Sequence, residues 1–193
     1  MLIVEGYTQS MRYDVCVVQV VSDGPEGFPK DEVADIGICG IDLDTMEAES
    51  IYSMFISYDD TILTDEKKEY LAGNGISVDE LKKGAPIGTV CADVKRLLSG
   101  RSAASFDIRN VFYRYMVNEP WDLTREVFVM PSVCSRLPRS LNLSPTEENL
   151  AIRNAYHAMF SDDIMDVGDG KRALDHALMS SAILMELRKN ERY

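Results

Sequence analysis

Asp14–Val21 reads DVCVVQVV and runs into Ser22-Asp23-Gly24-Pro25. β-branched valines are stiff at χ1 and favour extended backbone, and the run stops at a Gly-Pro turn, so the stretch predicts a buried strand. Its neighbours continue the pattern. Val33–Ile41, VADIGICGI, predicts a second strand, and Ile51–Ser57 a third beyond the polar turn at Asp42–Glu49. Three strands joined by short turns predict an antiparallel meander.

Past the charged segment Asp59–Tyr70 the period changes. Val90, Val94, Leu97 and Leu98 recur at helical spacing and stop at Ser99-Gly100, a glycine suited to a C-cap. Ser102–Phe106 predicts a short strand. Asp107 then suits the N-cap of a helix whose inner face is Ile108, Val111, Phe112, Tyr115 and Met116. Glu126–Met130 predicts another strand, with Pro131 opening a short helix. Ser144, Pro145 and Glu147 carry the N-cap, first-turn proline and back-reaching glutamate of a capping box, and Leu150, Ala151, Ala155 and Met159 would face inward from the helix that follows. A last helix from about Lys171 presents Leu174, Ala177, Leu178, Ser181, Leu184 and Met185 on one face.

The 193 residues are 46% hydrophobic and 27% charged, which suits one α/β domain over 1–193 with a sizeable core. Val15–Ser22, the longest uncharged stretch near the start, is far shorter than the roughly 20 apolar residues of a membrane span. Glu5 interrupts what would be the apolar part of a signal peptide, and no small-residue cleavage site follows. A cytoplasmic protein without a membrane anchor is expected. Cys16, Cys39, Cys91 and Cys134 are widely spaced with no Cys-x-x-Cys pair, which predicts reduced core residues. Thirty-two acidic against 20 basic residues leave a net charge of -12, which repels polyanions at long range. A local basic groove would draw on Lys95, Arg96, Arg101, Arg109 and Arg114.

The order of elements and four local strings resemble the DnaQ-like (DEDD) family of 3'-5' exonucleases over nearly the whole chain. Ser22-Asp23-Gly24-Pro25 stands where the family has Thr-Thr-Gly after its first strand. Asp31–Cys39, DEVADIGIC, resembles its second strand, D-x-I-I-E-I-G-A-V. Asn74–Pro86, NGISVDELKKGAP, is similar to H-G-I-T-x-E-M-L-x-G-A-P, and Arg172–Ala177, RALDHA, resembles the closing H-R-A-L-x-D-A. The resemblance implies a ribonuclease H-like α/β fold: a mixed sheet, with an antiparallel meander followed by parallel strands, flanked by helices.

It also implies two-metal phosphodiester hydrolysis, in which carboxylates hold paired Mg²⁺ or Mn²⁺ ions. The motif positions depart from that chemistry. The first Asp-x-Glu falls on Gln19 and Val21; an amide oxygen ligates weakly without charge, and valine does not ligate. The general-base histidine falls on Lys171 and the closing metal-binding aspartate on His176. Asp175 stands one residue early, which on a helix turns a side chain by about 100°. The second motif aligns in two ways, placing its aspartate at Val111 without a gap or at Asp107 with a three-residue deletion. The ungapped version is preferred because it leaves a full strand. The family's Asp-Thr pair falls on Met130-Pro131.

Each residue also has a local reading. Asp107 suits a helix cap, Asp175 a solvated first-turn carboxylate favoured by the helix dipole, and His176 a surface or satisfied position. Lys171, protonated at neutral pH, would be no base but a fixed cation in the old cleft, facing Asp107. The expected function is therefore a catalytically impaired exonuclease-like domain, kept to bind single-stranded nucleic-acid ends or a protein partner, with no cofactor. The alternatives are an active Mg- or Mn-dependent exonuclease rebuilt on Asp107, Asp175 and His176, with Asp107 and Asp175 as metal ligands, and a purely structural or interaction protein.

Overall fold

The computed structural model describes residues 13–57, 63–125, 127–141, 148–160 and 167–193. Ser144, Pro145 and Glu147, predicted to cap a helix, and Glu126, predicted to open a strand, lie outside them. Strands β1 (Val15–Ser22), β2 (Val33–Asp42), β3 (Glu47–Phe55), β4 (Arg101–Ala104) and β5 (Val127–Val129) form one sheet in the order β3-β2-β1-β4-β5. β1, β2 and β3 pair antiparallel, whereas β4 joins β1, and β5 joins β4, in parallel. The predicted meander is present. β3 begins four residues before the predicted Ile51, at Glu47, because an outer strand keeps carboxylates such as Glu47 and Glu49 in water and needs no apolar start. The β2–β3 register shifts between Ile38 and Cys39.

Besides short 3-10 helices at Val133–Arg136 and Arg139–Leu141, six helices are described: α1 (Asp65–Gly73), α2 (Val78–Leu81), α3 (Ile87–Leu98), α4 (Arg109–Met116, wound with the wider π spacing), α5 (Glu148–Met159) and α6 (Ala173–Lys189). α1 falls in the stretch read as merely charged. Leu71 is its one buried residue, so no apolar stripe betrays it in sequence. The inner face predicted for α4 is buried throughout. In α5, Ala151 and Ala155 face inward as expected, but Leu150 is 41% exposed, and Ile152 and Tyr156 fill the core instead.

β1 is covered on both sides. Val15 and Val17 join Cys39 and Ile41 under α5 and α6, while Cys16 and Val18 join Ile36 and Ile38 under α3 and α4. α6 is buried on nearly every face from Ala173 to Met185, including Met179, Ser180 and Ile183, which a single apolar stripe did not identify. Gly37 makes this close approach possible, since a Cβ there would lie 2.2 Å from the Leu174 nitrogen. The four cysteines are free, three of them buried.

Candidate functional site

Alternation along β1 puts Gln19 and Val21 on one face, beneath α6. Gln19 is 1% exposed, and its Nε2 donates to Ser180 Oγ at 3.2 Å, across 161 residues of sequence. Val21 is equally enclosed. It packs with Leu63, Leu71, Ile76, Leu81 and Ala173, so the end of β1 meets an apolar plug formed by α1, α2 and the first residue of α6.

The start of α6 is held from β2. Asp35, directly across from Val21, is fully buried. Its Oδ2 accepts from Arg172 Nε at 2.8 Å and from Ala173 N at 2.8 Å, and its Oδ1 accepts from Arg172 Nη2 at 2.9 Å. Arg172 also covers the Phe55 ring at 3.6 Å and donates to Ser53. Bonding to Asp35 holds the guanidinium pKa above its ordinary value. A carboxylate at this helix N-terminus satisfies a free N–H and complements the dipole.

Within α6, Asp175 is buried, not solvated as its first-turn position suggests. Its Oδ2 accepts from Lys171 N at 3.2 Å and Arg172 N at 3.1 Å, closing the first turn. Burial raises the Asp175 carboxyl pKa against the pull of these backbone bonds. His176 is 1% exposed, and its Nε2 lies 2.9 Å from the Gly170 carbonyl. A carbonyl only accepts, so Nε2 carries the proton. Nδ1 has no hydrogen-bond partner among the described residues. Burial lowers the imidazole pKa to about 4, leaving it neutral at physiological pH.

Lys171 does not enter a cleft. Its Nζ pairs with Asp169 Oδ2 at 2.9 Å, with the side chains 54% and 61% exposed, and this contact holds Asp169 below the usual carboxylate range. Asp107 instead faces Arg109, whose Nε and Nη2 lie 3.1 and 2.8 Å from its oxygens, and accepts from Ser132 Oγ at 3.3 Å. Burial works against its ionisation, but the Arg109 bonds outweigh it and the pKa is lowered. The expected Lys171–Asp107 pair is thus two separate pairs, because Asp169 and Arg109 stand only two residues from each partner. Asp107 stands three residues past the end of β4 at Ala104, and its backbone carbonyl accepts from Asn110 and Val111 at the start of α4. Val111 is fully buried among apolar residues.

The structure therefore gathers Gln19, Val21, Asp175 and His176 on α6 and the strand face beneath it, places Lys171 at the exposed rim, and places Asp107 at the head of α4. Two-metal chemistry needs anionic oxygens converging on each ion. Here one position is a neutral amide engaged with Ser180, one is a valine, and one is a neutral imidazole. Among the described residues no three His, Cys, Asp or Glu side chains are grouped to hold a metal. The residues do not fit a Mg²⁺ or Mn²⁺ pair. Sequence reasoning missed Asp35 and Arg172 as partners, although both stood inside the quoted strings, because nothing in one chain's sequence pairs residues 137 apart.

No family model and no curated protein matches the chain. Solved structures do. A 3'-exonuclease described in 3'-end specific recognition of a histone mRNA stem-loop matches with a TM-score of 0.64 at 15% identity, over 92% of this chain and 83% of that one. The nuclease domain of 3'hExo, a DEDDh family member bound to rAMP, matches at 0.62 and 16% identity, over 93% and 94%. Cell-death related nuclease 4 matches at 0.61 and 12%, over 93% of this chain and 65% of that one. The chain has the ribonuclease H-like fold of the DnaQ-like 3'-5' exonucleases.

Proposed function

We propose that this chain is a non-catalytic member of the exonuclease fold that binds and does not cut. The observation that carries the reading is the enclosure of Gln19 and Val21: one is bonded to Ser180, the other is sealed beneath Leu71, Ile76 and Leu81. A scissile phosphate would find neither charge nor opening there. A site rebuilt on Asp107, Asp175 and His176 has less support, since Asp175 is spent on the first turn of α6, His176 on Gly170, and Asp107 on Arg109.

Nucleic-acid 3' ends are the ligand suggested by the 3'-end recognition of an mRNA stem-loop and the bound rAMP in the similar structures, and single-stranded ends are the form proposed here; a protein partner is the alternative favoured by the net charge of -12. No helix of the described residues is long and apolar enough to cross a membrane. The test incubates purified protein with 5'-labelled single-stranded DNA and RNA in Mg²⁺ or Mn²⁺ and follows both strand length and anisotropy. Unshortened strands are expected. Metal-dependent, processive shortening from the 3' end, lost in Asp107→Ala, would replace this reading with the rebuilt site.

A further inference from the structure

The turn between β1 and β2 is built around two carboxylates and one ammonium. Asp23 and Asp31 have side chains 1% and 5% exposed. Lys67 reaches them from α1, 44 residues along the chain. Its Nζ lies 2.9 Å from each Asp23 oxygen, 2.8 Å from the Lys30 carbonyl and 3.5 Å from Asp31 Oδ1. Backbone N–H groups serve other lone pairs: Glu32 N donates to Asp23 at 2.8 Å and Gly27 N to Asp31 at 2.9 Å. Gly24 leaves room for this, because a Cβ there would lie 2.3 Å from Asp31 Oδ1. Two enclosed like charges this close need a cation between them.

Lys67 and Leu71 stand four apart on α1 and so share a helix face. Leu71 seals Val21, and Lys67 neutralises Asp23, two residues beyond Val21. We propose that Lys67 is a tethered cation, held by Asp23, Asp31 and the Lys30 carbonyl as a metal ion would be, so that α1 supplies both the apolar plug and the positive charge that order the end of β1. This holds whether or not the chain cuts nucleic acid.

The test compares thermal unfolding of the wild type, Lys67→Met, and Lys67→Met combined with Asp23→Asn, with and without millimolar CaCl₂. Calcium suits a vacated set of carboxylate and carbonyl oxygens. Lys67→Met should lower the midpoint by roughly 10 °C, the effect expected when a buried pair loses one partner. The double variant should recover part of that loss, because the repulsion between the two carboxylates is gone and only Asp31 stays charged without its cation. Calcium should raise the midpoint of Lys67→Met and leave the wild type unchanged. A single variant within about 2 °C of the wild type, a double variant no better than the single, or a single variant blind to calcium would overturn the proposal. If Lys67→Met does not fold, the double variant decides: a folded double supports the tethered cation, and an unfolded one rejects it.

Discussion

Arg172 and Asp35 join the two ends of the fold: the guanidinium at the start of α6 makes two hydrogen bonds, 2.8 and 2.9 Å, to a fully buried carboxylate on β2. Among the described residues, removing the cation leaves that carboxylate with the Ala173 N–H as its hydrogen-bond donor. Arg172→Met should cost ~3 kcal/mol in a denaturant titration, the low end for a broken buried pair because Arg172 is itself a third exposed. A loss under ~1 kcal/mol would mean that α6 is held by packing and not by this pair.

Lys171, one residue earlier, should behave differently. Its pair with Asp169 sits in water on both sides, where Coulomb attraction is screened and side-chain entropy opposes it. Lys171→Met should unfold at the wild-type denaturant midpoint. A clear loss of stability would return this lysine to the interior role that its place in the sequence suggested.

Val21→Glu restores the residue type of the exonuclease motif and should not restore activity. The new carboxylate would lie among Leu71, Ile76, Leu81 and Ala173, at a cost of roughly 3 to 5 kcal/mol for an unpaired buried charge. Unfolding and a labelled-strand assay on the same preparation check both halves. Combined with Gln19→Asp, cleavage at wild-type stability would show that the plug opens.

His176 predicts a pH dependence. Its folded pKa of about 4 lies below the ordinary value of 6.5, so between these values the unfolded chain binds the proton and the folded chain does not. Stability contributed by the neutral imidazole is therefore complete above pH 6.5 and is lost as pH falls towards 4, up to about 3 kcal/mol. Asp35 and Arg153 also face the ring, so the comparison must be differential. His176→Gln should lose less stability than the wild type between pH 7 and pH 4.5. Parallel curves for the two proteins would contradict a buried neutral histidine.

How much of this was legible in the sequence depended on the range of the physics involved. β1, β2 and the inner face of α4 were readable because burial imposes a period on consecutive residues. β3 started early because an outer strand tolerates glutamates. α1 left no trace because it buries only Leu71. The motif positions could be located from their strings, but their present partners could not: Ser180 lies 161 residues from Gln19 and Arg172 lies 137 from Asp35. Where a local partner competed, as Asp169 does for Lys171 and Arg109 for Asp107, the short-range contact prevailed over the long-range one inferred from the resemblance.

The outer position of β3 bears on how the protein behaves when concentrated. An open strand edge is a template on which another molecule's strand can continue the ladder, the first step towards fibrous aggregates. Glu47 and Glu49 place negative charge at the start of that edge, and the register shift against β2 breaks its regular spacing midway. Together they make the meander a poor seed for sheet growth, a protection that Glu47→Val with Glu49→Val would remove without touching the core.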